Sequence, residues 1–92
     1  MSMLARFAPA SPTTTQEYDE VMRRLEAQGI WPPDGLEYHC AFLVDGNVRV
    51  SEIWDSREQL AAFGEILMPV LADIGIEPGE PEVLDTHNIV RR

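Results

Sequence analysis

The sequence predicts an α+β domain in which a four-stranded antiparallel sheet carries two helices on one face. Three observations support this prediction. Apolar residues recur at helical spacing over residues 15–28 and again between Ser56 and Gly75. Between these helices, two apolar stretches flank Asp45-Gly46-Asn47, which is a strong signal for a hairpin turn. Short apolar stretches near both ends supply two more strands, so the predicted order is β-α-β-β-α-β.

The first strand and the first helix lie in the N-terminal third of the chain. Residues 3–8 form a short apolar stretch that ends before Pro9 and is predicted to be a strand. Thr14 and Glu17 have the spacing of a capping box, in which hydroxyl and carboxylate each accept from a free backbone N–H. The helix is predicted over residues 15–28, with an apolar stripe of Tyr18, Val21, Met22 and Leu25.

Residues 30–35, IWPPDG, connect the first helix to the hairpin. Two prolines and a glycine exclude regular structure in this segment. Trp31 is interpreted as a lid residue that packs over the end of a helix. The alternative is that its ring forms a wall at the mouth of a pocket.

The central hairpin and the second helix follow. The hairpin strands are predicted over residues 36–44 and 48–55. Ser56 and Gln59 form a second capping box, and Gly75 ends the helix that begins there. The apolar stripe of this helix contains Leu60, Phe63, Leu67, Val70, Leu71 and Ile74.

Two features affect the C-terminal part of this pattern. Pro69 lies inside the second helical stripe and removes a backbone donor, so we expect a kink or a break there. A loop rich in proline and glycine follows at residues 77–81. Residues 83–90 are then predicted to form the fourth strand.

Length and charge restrict the class of protein. At 92 residues the chain is expected to form one domain over residues 1–92. It carries 16 acidic and 7 basic residues, a net charge of −9, and its arginines are thinly spread. Nucleic acids and anionic membrane surfaces are therefore excluded as expected partners, because both are bound through clustered basic residues.

The expected location is cytoplasmic. No apolar run approaches the roughly 20 residues that span a bilayer, and the N-terminus is too weakly apolar for a secretory signal. The single cysteine cannot form an internal disulfide, which fits a reducing compartment. No cysteine cluster is present for structural zinc.

The second face of the sheet predicts a partner. In residues 36–44 the two alternating sets of side chains are both largely apolar, so neither face is suited to water. Two helices can cover only one face. The other face is therefore expected to meet a second copy of the chain in a two-fold homodimer.

The order of elements, together with residues 50–63, VSEIWDSREQLAAF, resembles the dimeric α/β-barrel superfamily of ferredoxin-like domains. In this stretch a strand ends in Trp and a Ser-capped helix begins with acidic residues and an aromatic. Small cofactor-independent monooxygenases of antibiotic biosynthesis look similar there. The resemblance implies two sheets packed face to face and chemistry that needs only oxygen and an electron-rich aromatic substrate. The superfamily also contains haem-degrading enzymes, lactone isomerases and binding modules, so the fold does not determine the function.

The length of the hairpin loop decides which residues share a face. With an even loop, His39 lies on the face of Glu52 and Trp54. A two-residue Asp45-Gly46 loop places His39 directly opposite Glu52, whereas a Gly46-Asn47 loop pairs it with Trp54. We favour the even loop because two-residue loops dominate hairpins.

In a three-residue loop the faces are exchanged, and Tyr38 and Cys40 join Glu52 and Trp54. Cys40 is interpreted as a small buried hydrophobic residue because no adjacent cation would activate its thiol. It is not a candidate nucleophile.

The candidate catalytic residues are His39 and Glu52. A histidine beside a carboxylate is oriented by it and can accept a proton near neutral pH. The alternatives are a satisfied buried hydrogen bond for His39, and for Glu52 a salt bridge with Arg49 or Arg6. The candidate substrate-binding residues are Tyr38, Trp54, Phe63, His87 and Asn88.

A metal site is not predicted. If His87 faced a cavity together with His39 and Glu52, two imidazoles and a carboxylate could ligate a metal. A position facing solvent or a dimer partner is the favoured interpretation for His87. Trp54 is expected at the seam between the sheet and the second helix.

The leading functional prediction is a homodimeric small-molecule-binding protein that resembles the cofactor-independent monooxygenases and acts on a flat apolar or aromatic compound. No cofactor is predicted. The alternative is a non-catalytic binding or assembly module, in which the same polar residues serve the dimer interface. Haem binding is less favoured because the sequence carries no specific signature for it.

Overall fold

The strands and helices follow the predicted order. In the computed structural model, which describes residues 2–92, the elements are β1 Met3–Phe7, α1 Thr15–Ala27, β2 Leu36–Val44, β3 Asn47–Trp54, α2 Arg57–Ile74 and β4 Glu82–Asp85. The strands form one antiparallel sheet in the order β2-β3-β1-β4. This is the ferredoxin-like α+β fold, so the predicted fold class is confirmed.

The core lies between the sheet and the two helices. Alternate strand residues point into it, among them Met3 and Ala5 of β1 and Trp54 of β3. Trp54 and Leu25 have the largest fully buried side chains. The buried cluster contains Ala5, Val21, Leu25, Trp54, Phe63, Val70 and Ile76. Within residues 2–92 no helix has both the length and the apolar character needed to cross a membrane.

The helix ends follow the sequence signals closely. Thr14 and Glu17 form both bonds of the capping box, with the Glu17 N–H donating to Thr14 Oγ1 at 3.1 Å and the Thr14 N–H donating to Glu17 Oε1 at 2.9 Å. Ser56 also caps α2, but Gln59 Oε1 accepts from the Ser56 hydroxyl instead of from its backbone. Gly75 ends α2 in the left-handed conformation at φ 94°.

Helix α2 continues through Pro69, so the expected break is absent. Pro69 is exposed on the outer side of the helix. On that side water can hydrogen-bond the carbonyl that lacks an N–H partner, which lowers the cost of the missing donor.

The last strand is shorter than predicted. It ends at Asp85 rather than at Val90. Asp85 pairs with Met3, the first residue of β1, so further residues have no strand beside them. Beyond Asp85 the Thr86 N–H and hydroxyl both donate to the Ser2 carbonyl, at 3.2 Å and 3.0 Å.

The hairpin has the even loop that we favoured. Val44 pairs with Asn47, so the loop contains only Asp45 and Gly46. Their φ angles are 53° and 80°, and a positive φ at both positions is typical of the tight turns that suit twisted hairpins. The register places His39 directly opposite Glu52.

Candidate functional site

A small cavity lies between the sheet and the helices. Its volume is about 100 Å³, which is comparable to the space that one aromatic ring fills. Nearly all of its wall is apolar, with side chains from both helices, from β1 and β3 and from the segment before β2. The polar side chains that reach it belong to Thr13, Tyr18, His39 and Glu52.

His39 and Glu52 form a buried pair at the sheet wall of this cavity. His39 Nδ1 lies 2.5 Å from Glu52 Oε2, and only 14% and 5% of their side chains are exposed. The contact follows from the hairpin register, which places both residues on the helix-facing side of neighbouring strands. A buried carboxylate requires such hydrogen bonds in place of water.

Trp54 satisfies the second oxygen of Glu52. The indole Nε1–H donates to Glu52 Oε1 at 2.9 Å. Because Trp54 follows Glu52 by two residues in β3, both side chains lie on the same face of the sheet. Glu52 is thus held between an indole donor and an imidazole, which fixes the plane of its carboxylate.

Tyr18 extends the chain of hydrogen bonds from the helix side. Its Oη lies 2.7 Å from His39 Nε2. Burial raises the pKa of the Tyr18 hydroxyl above its ordinary value, and the negative charge of Glu52 raises it further. Tyr18 therefore stays protonated at neutral pH. Within residues 2–92, no fully buried side-chain N or O atom lacks a hydrogen-bond partner.

Aromatic rings surround this polar chain. The Trp31 ring meets the His39 ring edge-on, with their centroids 4.9 Å apart. Phe63 lies 6.1 Å from Trp31 and 5.6 Å from Trp54, again between ring centroids. Edge-on and tilted rings attract one another, so these contacts hold the cavity wall in shape.

Four of the predicted site residues come together and three do not. His39 and Glu52 line the cavity with Phe63, and Trp54 lies behind Glu52 in the core. Tyr38 is exposed on the opposite face of the sheet, where its strand partner is Ile53.

His87 and Asn88 are also separate from the cavity. Both are exposed and lie after the end of β4, so our placement of these residues in the last strand is wrong. His87 therefore does not join His39 at the cavity wall. In the described part of the chain, residues 2–92, no group of three or more His, Cys, Asp or Glu side chains is arranged to hold a metal ion.

Two residues at the site were not among the predicted ones. The sequence places Tyr18 only on the apolar stripe of α1. Trp31 lines the cavity, in agreement with its alternative interpretation as a wall at the mouth of a pocket. The sequence feature that could have identified Tyr18 as a site residue is its hydroxyl, because a tyrosine at the start of a buried stripe needs a polar partner in the core. The identity of that partner depends on how α1 packs on the sheet.

The fold and the site define a class: a ferredoxin-like domain whose helix–sheet interior encloses an apolar cavity with a histidine–carboxylate pair on its wall. Solved structures with this fold include SnoaB, a cofactor-independent oxygenase from Streptomyces nogalater, with a TM-score of 0.59 and 15% identity, covering 99% of this chain and 96% of that one. They also include Rv0793 from Mycobacterium tuberculosis, with a TM-score of 0.57 and 18% identity, covering 98% and 97%.

A third similar structure is a proposed antibiotic biosynthesis monooxygenase from Deinococcus radiodurans, with a TM-score of 0.59 and 13% identity, covering 100% of this chain and 98% of that one. No protein-family model and no curated protein sequence matches the chain. At these identities the likeness concerns the fold alone. At that level the expected ferredoxin-like fold, shared with these structures, is confirmed.

Proposed function

We propose that this protein binds a flat aromatic compound in the cavity and oxidises it with molecular oxygen, without a cofactor. The observation that carries the proposal is the hydrogen-bonded chain Tyr18–His39–Glu52 on the wall of an otherwise apolar cavity. The fold likeness to a cofactor-independent oxygenase gives further support.

The polar chain supplies a base where water is scarce. When Glu52 accepts the Nδ1–H of neutral His39, the lone pair on Nε2 points towards Tyr18. Proton transfer to His39 creates an imidazolium beside the Glu52 carboxylate, and this ion pair offsets the cost of charge in the cavity. A phenol that loses its proton becomes an electron-rich anion, which is the form that reacts with oxygen.

The reaction balances without an added reductant. With 1-naphthol as an example, one oxygen atom of O₂ replaces hydrogen on the ring carbon para to the hydroxyl and becomes the second carbonyl of 1,4-naphthoquinone. The other oxygen atom leaves as water with the two hydrogens that the substrate loses. The substrate supplies all the electrons that reduce O₂.

Incubation under ¹⁸O₂ with two probes, the one-ring resorcinol and the two-ring 1-naphthol, tests this function. We expect the quinone product of at least one probe to carry a single new ¹⁸O atom, measured by mass spectrometry, with a chelator present. Heat-unfolded protein is the control for spontaneous oxidation. Equal product with folded and unfolded protein, or label drawn only from H₂¹⁸O, would rule the oxygenase activity out.

A non-catalytic binding module is the second candidate. One observation favours it: both ring nitrogens of His39 already have hydrogen-bond partners in the protein. In that case the polar chain only orients a bound ligand. Binding of either probe without oxygen incorporation would support this candidate over the enzyme.

We also propose that the open face of the sheet forms a homodimer. Tyr38, Ile53, Leu4 and Leu84 are consecutive strand partners, so their side chains form an apolar row across all four strands on the face away from the helices. Tyr38 and Leu84 are 51% and 43% exposed. A second copy would remove this row from water, which is the usual reason for such a patch.

Leu84→Lys tests the dimer. A lysine in the apolar row would bring two like charges to a two-fold interface, so we expect the dimer to dissociate at least tenfold more readily. Leu43→Lys is the matched control, because Leu43 is also an exposed strand leucine but belongs to the alternate set of β2 side chains that contains His39. Sedimentation velocity measures the effect. A wild-type protein that sediments as a monomer at micromolar concentration would contradict the proposal.

A further inference from the structure

The two nitrogens of His39 are both occupied, so a ligand cannot hydrogen-bond to this ring in the observed arrangement. Nδ1 is 2.5 Å from Glu52 Oε2, and Nε2 is 2.7 Å from Tyr18 Oη. Tyr18 also lines the cavity. The next group along the chain that a ligand can meet is therefore the Tyr18 hydroxyl.

The positions of the protons on the three hydrogen-bonded residues determine whether Tyr18 donates or accepts a hydrogen bond from a ligand. The indole N–H of Trp54 can only donate, so Glu52 Oε1 accepts from it, and a Glu52 carboxylate then accepts from His39 Nδ1–H at its other oxygen. Neutral His39 thus carries its proton on Nδ1 and accepts the Tyr18 proton at Nε2. Tyr18 then has no proton left to donate to a ligand, but its oxygen keeps lone pairs that accept hydrogen bonds.

We propose that Tyr18 is the ligand-contacting residue of this cavity, and that its oxygen accepts a hydrogen bond from the hydroxyl of a phenolic ligand. The inference deepens the proposed function and rests on it. It predicts that the site selects an aromatic ring with a hydroxyl donor over an apolar ring of the same shape.

The same geometry describes the proton transfer that would start oxidation. The ligand hydroxyl gives its proton to Tyr18 Oη while the Tyr18 proton moves to His39 Nε2. Tyr18 is neutral before and after this step, the ligand becomes a phenolate, and His39 becomes an imidazolium held by Glu52. No net charge is created or lost in the cavity.

Phenol and toluene are the probes, because each has one ring and they differ mainly in a hydroxyl against a methyl group. We expect wild-type protein to bind phenol more tightly than toluene when both are titrated by NMR. In Tyr18→Phe this preference should fall roughly three- to tenfold, as expected for one lost hydrogen bond, while toluene binding persists. The persistence of toluene binding shows that the cavity of the variant is still folded.

The matched control is Tyr38→Phe. It makes the same change in the other tyrosine of the chain, which is exposed on the opposite face of the sheet. This variant should keep the wild-type preference for phenol. The role of Tyr18 is disproved if Tyr18→Phe also keeps that preference, or if wild-type protein binds both probes equally well. In either case the proposal that the cavity binds an aromatic ring is still supported. If neither probe shifts cavity resonances, both proposals fail.

A measurement on the wild-type protein does not depend on the folding of any variant. Para-substituted phenols of increasing acidity should bind more tightly and move the ¹⁵N resonance of His39 Nε2 towards its protonated value. The exposed His87 serves as the internal reference and should not move. A Tyr18 hydroxyl with a purely structural role would leave the Nε2 resonance independent of phenol acidity.

Discussion

Replacement of Glu52 by glutamine is expected to lower turnover by roughly a hundredfold to ten-thousandfold without unfolding the protein. The Trp54 Nε1–H requires an acceptor, so the new amide must turn its oxygen towards Trp54 and its NH₂ group towards His39 Nδ1. The His39 proton then moves to Nε2 and faces Tyr18. The hydrogen-bonded residues keep their positions, but His39 loses the Nε2 lone pair that accepts the Tyr18 proton.

Two measurements check this result. The rate of ¹⁸O incorporation reports the activity, and ¹⁵N NMR reports which nitrogen of His39 carries the proton. The second measurement remains informative even if neither oxidation probe is a substrate. Glu82→Gln is the matched control, because Glu82 is an exposed strand residue that pairs with Arg6. A Glu52→Gln protein that keeps the proton on Nδ1 would refute the proposed hydrogen-bond directions.

Replacement of Trp54 by alanine is expected to destabilise the fold by about 3–5 kcal/mol. Trp54 is fully buried and contacts Phe63, so truncation opens a large cavity in the main core. It also removes the donor to Glu52 Oε1, leaving that oxygen of a buried carboxylate without its partner. Domains of this kind are stable by only about 5–15 kcal/mol, so the variant should be close to unfolding.

Denaturant unfolding monitored by far-UV circular dichroism measures the loss in the free energy of unfolding. Trp54→Phe separates the effect of the cavity from that of the lost hydrogen bond, since it keeps most of the ring volume and removes the N–H. We expect this change to lower the free energy of unfolding by about 1–3 kcal/mol. Trp31→Ala is the control, because Trp31 is only half-buried and should cost less. Equal losses for Trp31→Ala and Trp54→Ala would show that the core is not centred on Trp54.

The parts of the fold that were predicted correctly depend on local chemistry. The Thr14 capping box, the Gly75 helix end and the Asp45-Gly46 turn each involve residues within a few positions of one another. Once the turn is known to consist of Asp45 and Gly46, strand alternation alone places His39 opposite Glu52. The His39–Glu52 pair was therefore available from the sequence.

The contact of Tyr18 with this pair depends on how distant segments pack. The partner of Tyr18 is 21 residues away, and the contact requires a particular rotation and height of α1 on the sheet. Periodicity gives the apolar face of a helix but not its position on the strands. The prediction that His87 and Asn88 lie in the last strand is wrong for a similar reason. The end of β4 depends on where β1, its partner strand from the N-terminal part of the sequence, begins.

The two-residue turn makes the site unusually sensitive to insertions and deletions. Substitutions within a strand leave its register unchanged. One residue added between Asp45 and Gly46, if the turn kept its length of two residues, would shift the pairing of β2 with β3 by one position and exchange the two faces of β2 relative to β3. Tyr38 and Cys40 would then occupy the positions beside Glu52. Among proteins of this fold, the pairing register of this hairpin should therefore divide them into groups with different site chemistry more sharply than overall identity does.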